Sequence, residues 1–113
     1  MSTDCKVIGD YWEYHVIMVA LEKGAEVFRN TCCSGPIDIV LKINDEFIPI
    51  DVKQKTWKKR DGNFCAAHGS TIADGVWGVG VDPYTREVSW YRLPYGGHPR
   101  PFQCPQGLED FWN

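Results

Sequence analysis

The sequence predicts an α/β fold: a helix, a three-stranded meander, a short helical or irregular stretch, and a closing pair of strands. An apolar pattern of helical period runs up to Gly24, and two alternating segments flank the turn signal Asn44-Asp45. Two later apolar segments, 76–81 and 87–93, are joined by an Asp-Pro turn. The 113 residues suit one domain spanning 1–113.

Composition is typical of a soluble domain, with 43% hydrophobic and 24% charged residues. The net charge of −3 differs from the basic balance of many nucleic-acid binders. However, five of the twelve Lys and Arg residues lie within Lys53–Arg60. We expect no membrane span, because no apolar run approaches about 20 residues. The lack of a signal peptide and five cysteines, with Cys32 and Cys33 adjacent, predict a cytoplasmic location with free thiols.

The first helix is predicted to open at Asp10 and to end at Gly24. Glu13 follows Asp10 by three residues, which is capping-box spacing. An apolar stripe is expected along the helix at Val16, Ile17, Val19, Ala20 and Leu21.

The segments around Asn44-Asp45 predict a β-hairpin with one apolar face. If those two residues form the turn, Ile39 lies opposite Ile50 and Asp38 lies opposite Asp51. A slip of two residues would place Asp38 opposite Lys53. In either register Asp38, Asp51 and Lys53 share the face opposite the apolar one.

Two carboxylates in that position repel each other unless a proton or a cation lies between them, since opposed Cβ atoms are about 4.5–5.5 Å apart. Mg²⁺ prefers oxygen ligands and suits phosphodiester hydrolysis. The Lys53 ammonium is then placed to orient water or to stabilise developing phosphorane charge. The alternative from the residues alone is that Asp38 and Asp51 lie on a solvated sheet face.

Several short motifs follow one another along the chain: Gly9, Glu13, Leu21-Glu-Lys-Gly24, Val27-Phe-Arg29, Ser34-Gly35, Pro36-Ile-Asp38 and Asp51-Val-Lys53. This series resembles the PD-(D/E)xK nuclease superfamily and, within it, the archaeal-type Holliday junction resolvases. Ile37 separates the proline from the aspartate, and the third acid is Asp51 rather than the usual Glu. The resemblance implies a restriction-endonuclease-like core, with an N-terminal helix followed by a mixed β-sheet flanked by helices.

The resemblance also implies an active site. Asp38 and Asp51 would be catalytic ligands of Mg²⁺, for which Mn²⁺ would substitute, and Lys53 would be the catalytic lysine. Glu13 would complete the metal site from the helix, and its alternative is helix capping. Ser34 would contact a phosphate or form a turn.

The basic stretch that follows predicts a DNA-contacting loop, formed by Lys55, Trp57, Lys58, Lys59 and Arg60. Trp57 is suited to stacking on an unpaired base. The alternative is a solvated basic loop. Arg29 is expected to reach DNA or to pair with Glu22 or Glu26. Cys65 and His68 have a zinc-like spacing without a visible second pair.

The sequence therefore predicts a Mg²⁺-dependent DNA endonuclease, structure-selective and resolvase-like, in a prokaryotic or phage-infected cell. The alternatives are a nicking, repair or homing nuclease of the same superfamily, or an inactive nucleic-acid-binding module. A homodimer is expected because two symmetric cuts need two sites. Candidate interface groups are the aromatic residues Trp77, Trp90, Tyr91, Phe111 and Trp112. For Phe111 and Trp112 the alternative is a tail packed against the domain.

Overall fold

A computed structural model describes residues 5–32, 34–57, 64–65, 72–90, 94–95, 98–99 and 104–113. Within them the chain forms one helix, α1 (Cys5–Glu22), followed by nine strands. The strands of the main sheet are β1 (Glu26–Arg29), β2 (Ile39–Ile43), β3 (Glu46–Gln54), β6 (Trp77–Val81) and β7 (Val88–Trp90). Two separate two-stranded ladders are formed by β4 (Thr56–Trp57) with β5 (Phe64–Cys65) and by β8 (Pro94–Tyr95) with β9 (His98–Pro99).

Helix α1 is already formed at Cys5, so the prediction that Asp10 opens it is wrong. Asp10 and Glu13 lie inside the helix, where a capping box has no unpaired amides to satisfy. The predicted end is confirmed. The Ala25 amide donates to the Ala20 carbonyl at 3.0 Å, and Gly24 has a φ of 92°. Glycine adopts this left-handed conformation without a Cβ penalty, which ends the helix.

The buried stripe of α1 follows positions four residues apart, at Trp12, Val16 and Ala20. The predicted stripe contained Val16 and Ala20, but Leu21 is 55% exposed. The buried side is therefore rotated towards Trp12, whose indole Nε1 donates to Gln54 Oε1 at 2.9 Å. This contact fixes α1 over the face of β3 that carries Ile48, Ile50 and Val52.

The predicted hairpin and its register are confirmed: Ile39 pairs with Ile50 and Leu41 with Ile48. Asn44 and Asp45 have φ values of 50° and 66°. Two consecutive residues with positive φ match the two-residue turns that fit the right-handed twist of hairpins. Strand β1 extends this hairpin antiparallel to β2, which completes the expected meander.

The main sheet has the order β1-β2-β3-β6-β7 and is mixed, because β6 runs parallel to β3 while the other neighbours are antiparallel. The closing pair, β6 and β7, is joined through the predicted Asp-Pro turn. There the Asp82 carboxylate accepts from the amides of Tyr84 and Thr85 at 2.8 and 3.2 Å. The α/β prediction with a mixed sheet is confirmed.

The flanking helices beyond α1 are not found in the described residues. Part of the stretch expected to be helical, Ala66–Asp74, lies outside them, and residues 72–74 are not helical. Within the same residues, no helix is both long and apolar enough to cross a membrane.

The core also takes up aromatic residues that the sequence analysis assigned to a dimer interface. Trp90 and Trp112 are buried and contact each other edge to face, with ring centroids 5.5 Å apart. Trp77 and Phe111 are partly buried against the same cluster. Trp90 is therefore a core residue and not an interface residue, and the packing of Trp112 and Phe111 confirms the alternative of a packed tail. Tyr91 lies outside the described residues.

Candidate active site

The ladder between β2 and β3 becomes irregular at Asp38, at the end of the hairpin farthest from the Asn44-Asp45 turn. We call this the open end of the hairpin. The Asp38 amide donates to the Ile50 carbonyl at 3.0 Å, although Ile39 is the residue paired with Ile50. Two successive residues thus lie opposite Ile50, as in a β-bulge, and bulges re-aim a side chain. The Asp38 carboxylate then accepts a 2.8 Å hydrogen bond from the Val52 amide, which fixes it to β3.

Asp38 and Asp51 are brought together at this bulge. Asp51 is buried, with 8% of its surface exposed. Burial first, and then a side-chain hydrogen bond with Asp38, raise the pKa of Asp51 to about 7. The negative charge of Asp38 raises the pKa of Asp51 as well, and two adjacent carboxylates repel each other unless a proton or a cation lies between them.

Lys53 lies two residues beyond Asp51 on the same face of β3, and its Nζ is 3.5 Å from Asp51 Oδ2. Its positive charge lowers the pKa of Asp51, against the larger effect of burial. Lys53 therefore forms an ion pair with Asp51 at the open end of the hairpin.

Glu13 reaches the site from α1. Burial raises the pKa of Glu13, the charge of Asp38 raises it further, and Arg29 opposes both. Arg29 lies 3.8 Å from Glu13 through Nε and 3.4 Å from Asp10 through Nη2, and its guanidinium stacks over Tyr14 at 4.7 Å. The carboxylate partners of Arg29 are thus Asp10 and Glu13 rather than Glu22 or Glu26, and the arginine balances acidic charge beside Asp38.

Asn30 was missed by the sequence analysis. Its side-chain amide donates to the carbonyls of Ser34 and Ile37 at 2.8 and 2.9 Å, and its backbone amide donates to the Asp38 carbonyl. Its own side-chain oxygen accepts from the Cys32 amide. Asn30 therefore stabilises the loop that precedes Asp38 and positions this residue at the site. The available signal was an Asn at the end of a strand, a residue that typically bonds nearby backbone.

Ser34 lies in this loop, at an open cleft of about 430 Å³ that is also lined by Gly9, Asp10, Glu13, Gly35 and Asp38. The Ser34 carbonyl accepts from Asn30, which is a turn-forming role. The cleft leads from solvent to Glu13 and Asp38, so a ligand entering there meets the acidic side of the site.

The oxygen donors fit a divalent cation of the Mg²⁺ type. In the described ranges, no three acidic, His or Cys side chains converge as a ready metal site. Mg²⁺ does not need such a cage, because it keeps several waters and binds through one or two carboxylates. Asp38 and Asp51 supply two neighbouring carboxylates, and a cation between them would relieve their repulsion.

The structure describes only some of the residues predicted to contact DNA. Lys55 is partly buried, its amide donates to the Val81 carbonyl at 2.9 Å, and its amine donates to the Ser89 hydroxyl. Burial lowers the pKa of Lys55. Trp57 lies on β4, and Lys58, Lys59 and Arg60 lie outside the described residues, as does His68 of the zinc alternative.

Comparison with known proteins identifies the fold. No family model and no curated protein match the sequence. Among solved structures, a bacterial homing endonuclease, I-Ssp6803I, matches with a TM-score of 0.62 and 19% sequence identity. The match covers 78% of this chain and 65% of that chain, just under two thirds of its length. The α/β fold of this protein is thus similar to that of a nuclease.

Proposed function

We propose that this protein is a Mg²⁺-dependent endonuclease that hydrolyses DNA phosphodiester bonds. The observation that carries the proposal is the position of Asp51, which lies beside Asp38 and has the Lys53 Nζ 3.5 Å from its Oδ2. Structural ion pairs also shift pKa values, but a buried acid beside a lysine and a second acid that lines an open cleft is the arrangement expected of a functional site. The nuclease-like fold agrees with this assignment.

Asp38 and Asp51 would hold the metal ion, and Glu13 would complete the set directly or through water. Mg²⁺ at such a site, with Mn²⁺ as a substitute, polarises the phosphoryl oxygen and lowers the pKa of bound water. The Val52 amide orients the Asp38 carboxylate by its hydrogen bond, and Arg29 limits repulsion between Glu13 and Asp38.

Lys53 would act on the reacting group itself. Its ammonium lies on the same face as Asp51, where it orients the attacking water or balances the negative charge of the pentacovalent phosphorane. Its attachment to Asp51 keeps the ammonium close to the carboxylates before substrate arrives.

The proposal extends to a Holliday junction resolvase-like, structure-selective activity carried out by a homodimer. The chain is acidic overall, so one copy offers few phosphate contacts, and twofold pairing doubles them. Paired nicks on opposite strands of a four-way junction are the expected products. Light scattering that shows a monomer on junction DNA would contradict the dimer and favour single-strand nicking.

A direct test is cleavage of labelled four-way junction, flap, duplex and single-stranded DNA with Mg²⁺, with Mn²⁺ and with EDTA. We expect cleavage with either metal and none with EDTA. Binding without cleavage under every metal condition would instead identify an inactive nucleic-acid-binding module.

A second candidate, a homing nuclease acting on duplex DNA, is favoured by the similarity to the bacterial homing endonuclease. The same assay separates the two. A homing nuclease cleaves a defined duplex sequence, whereas a junction nuclease cleaves branched DNA whatever its sequence. A library of random duplexes alongside fixed junctions therefore decides between them.

A further inference from the structure

Two phenylalanine rings are exposed together on the main sheet. Phe28 on β1 is 45% exposed and Phe47 on β3 is 63% exposed, and their ring centroids lie 6.2 Å apart. The Lys42 amine lies 5.6 Å from the centroid of the Phe47 ring. Burying these rings would be favourable, so their joint exposure beside a lysine indicates a binding surface.

The strand register shows which face carries them. Phe28 pairs with Val40, Val40 pairs with Pro49, and Lys42 pairs with Phe47, and paired residues point to one side of a sheet. We call these five residues the aromatic patch. Since side chains alternate along β3, Pro49 points to the same side as Asp51 and Lys53. The aromatic patch is therefore continuous with Asp51 and Lys53 on the face opposite α1, whereas the cleft approaches Asp38 from the α1 side.

The distances suit a single bound strand. At a rise of about 3.4 Å per residue, Pro49 is about 7 Å and Phe47 about 14 Å along β3 from Asp51. Phe47 is then no more than about four nucleotides from a phosphate at Asp51, taking 3.4 Å per nucleotide as in a duplex strand. One DNA strand thus reaches the site and the aromatic patch together.

We propose that the aromatic patch binds unpaired bases of the DNA strand next to the bond that is cleaved; this inference rests on the proposed nuclease function. Every base has a π-face that stacks on an aromatic ring. Lys42 carries a positive charge beside the Phe47 ring, and Glu26, which pairs with Lys42, carries a negative charge on the same face. A base inside a duplex has both faces covered by its neighbours. The aromatic patch therefore selects DNA with unpaired bases near the cleaved bond.

The test compares binding rather than cleavage. Wild type and the Phe28→Ala/Phe47→Ala variant are titrated by fluorescence anisotropy, in EDTA, against single-stranded, forked and blunt duplex DNA. We expect the double variant to bind single-stranded and forked DNA about tenfold more weakly, with duplex binding changed less than about twofold. Phe47→Trp should keep wild-type affinity, because an indole stacks as well as a phenyl ring.

Met18→Ala is the matched control, because Met18 is 60% exposed but lies on α1, on the other side of the sheet. It should leave all three affinities unchanged. Circular dichroism and urea denaturation check that each variant is folded. If the double variant fails to fold, the single variants Phe28→Ala and Phe47→Ala are titrated in its place.

Three results would overturn the inference: unchanged binding of single-stranded DNA, an equal loss on duplex, or dissociation of a dimer on mutation. The last would identify the aromatic patch as an interface between two copies. Failure of the proposed function looks different. Wild type would then bind forked DNA through the phenylalanines and cleave nothing with Mg²⁺.

Discussion

The two ends of the β2–β3 hairpin differ in the regularity of the ladder and in the side chains that they bring together. At the closed end Asn44 and Asp45 form a tight turn in solvent, and the ladder beside it is regular. At the open end the ladder slips at Asp38, and the buried Asp51 lies between this residue and Lys53. The open end therefore brings acidic side chains together at a bulge, where they repel each other unless a proton or a cation lies between them.

The largest expected effect comes from removing a carboxylate at the open end. Asp51→Asn or Asp38→Asn should reduce Mg²⁺-dependent cleavage by about a thousandfold or more, since a metal ligand contributes several kcal/mol to the reaction. Single-turnover cleavage measures this. Asp45→Asn is the matched control at the closed end and should cleave normally. Full activity in either Asp38 or Asp51 variant would refute the site assignment.

Lys53→Ala should reduce the cleavage rate about a hundredfold while DNA affinity changes little, because the loss is of charge stabilisation in the transition state. Rates and anisotropy titrations are measured on the same DNA. Lys53→Arg keeps the charge and should recover part of the rate. A normal rate in Lys53→Ala would make Lys53 one more phosphate contact.

The metal-free protein should lose stability as the pH rises from about 4 to about 7. The folded pKa of Asp51 is about 7, whereas an unfolded Asp titrates near about 3.9. Between these values the folded protein holds a proton that the unfolded chain releases, so stability falls across the window. The loss should be on the order of 4 kcal/mol, since each unit of pKa difference corresponds to about 1.4 kcal/mol, and it should be complete above the folded pKa.

Urea denaturation in EDTA across this pH window measures the effect. Asp51→Asn should flatten the dependence and stabilise the protein at the alkaline side, whereas Asp45→Asn should keep the wild-type slope. A wild-type slope in Asp51→Asn would show that another group binds the proton.

The smallest effect belongs to the closed end. Asp45→Gly should raise the free energy of unfolding by up to about 1 kcal/mol, because glycine adopts a positive φ without the penalty of a Cβ. Cleavage should not change. A measurable change in cleavage rate would show that the two ends of the hairpin are coupled.

The closed end was predictable because its rules are local. Alternation of Ile39, Leu41, Ile48 and Ile50 around Asn44-Asp45 fixes the register, and the structure has it. The bulge at Asp38 was not predictable in this way. It depends on a loop held by Asn30 and on a hydrogen bond from Val52, which join residues from three parts of the chain.

In helix α1, too, a feature set by local preferences was predictable, and one that depends on tertiary contacts was not. Its end at Gly24 follows from a local conformational preference and was predicted correctly. Its start was predicted wrongly, because Asp10 and Glu13 fit the spacing of a cap but serve tertiary contacts with Arg29. The proximity of Asp38 and Asp51 followed from sequence, whereas the burial of Asp51 depends on packing that no short motif encodes.

The parallel pairing of β3 with β6 has a kinetic consequence. Asp38, Asp51 and Lys53 all belong to a hairpin, which forms on a timescale of about 1–10 μs. Pairing Ile50 with Trp77 requires closure of the chain between them, and such non-local contacts form late. We expect amides of β2 and β3 to be protected before those of β6 in pulsed hydrogen exchange. The two acids would then be neighbours before β6 pairs with β3, and the burial that raises the pKa of Asp51 would follow when the rest of the sheet packs.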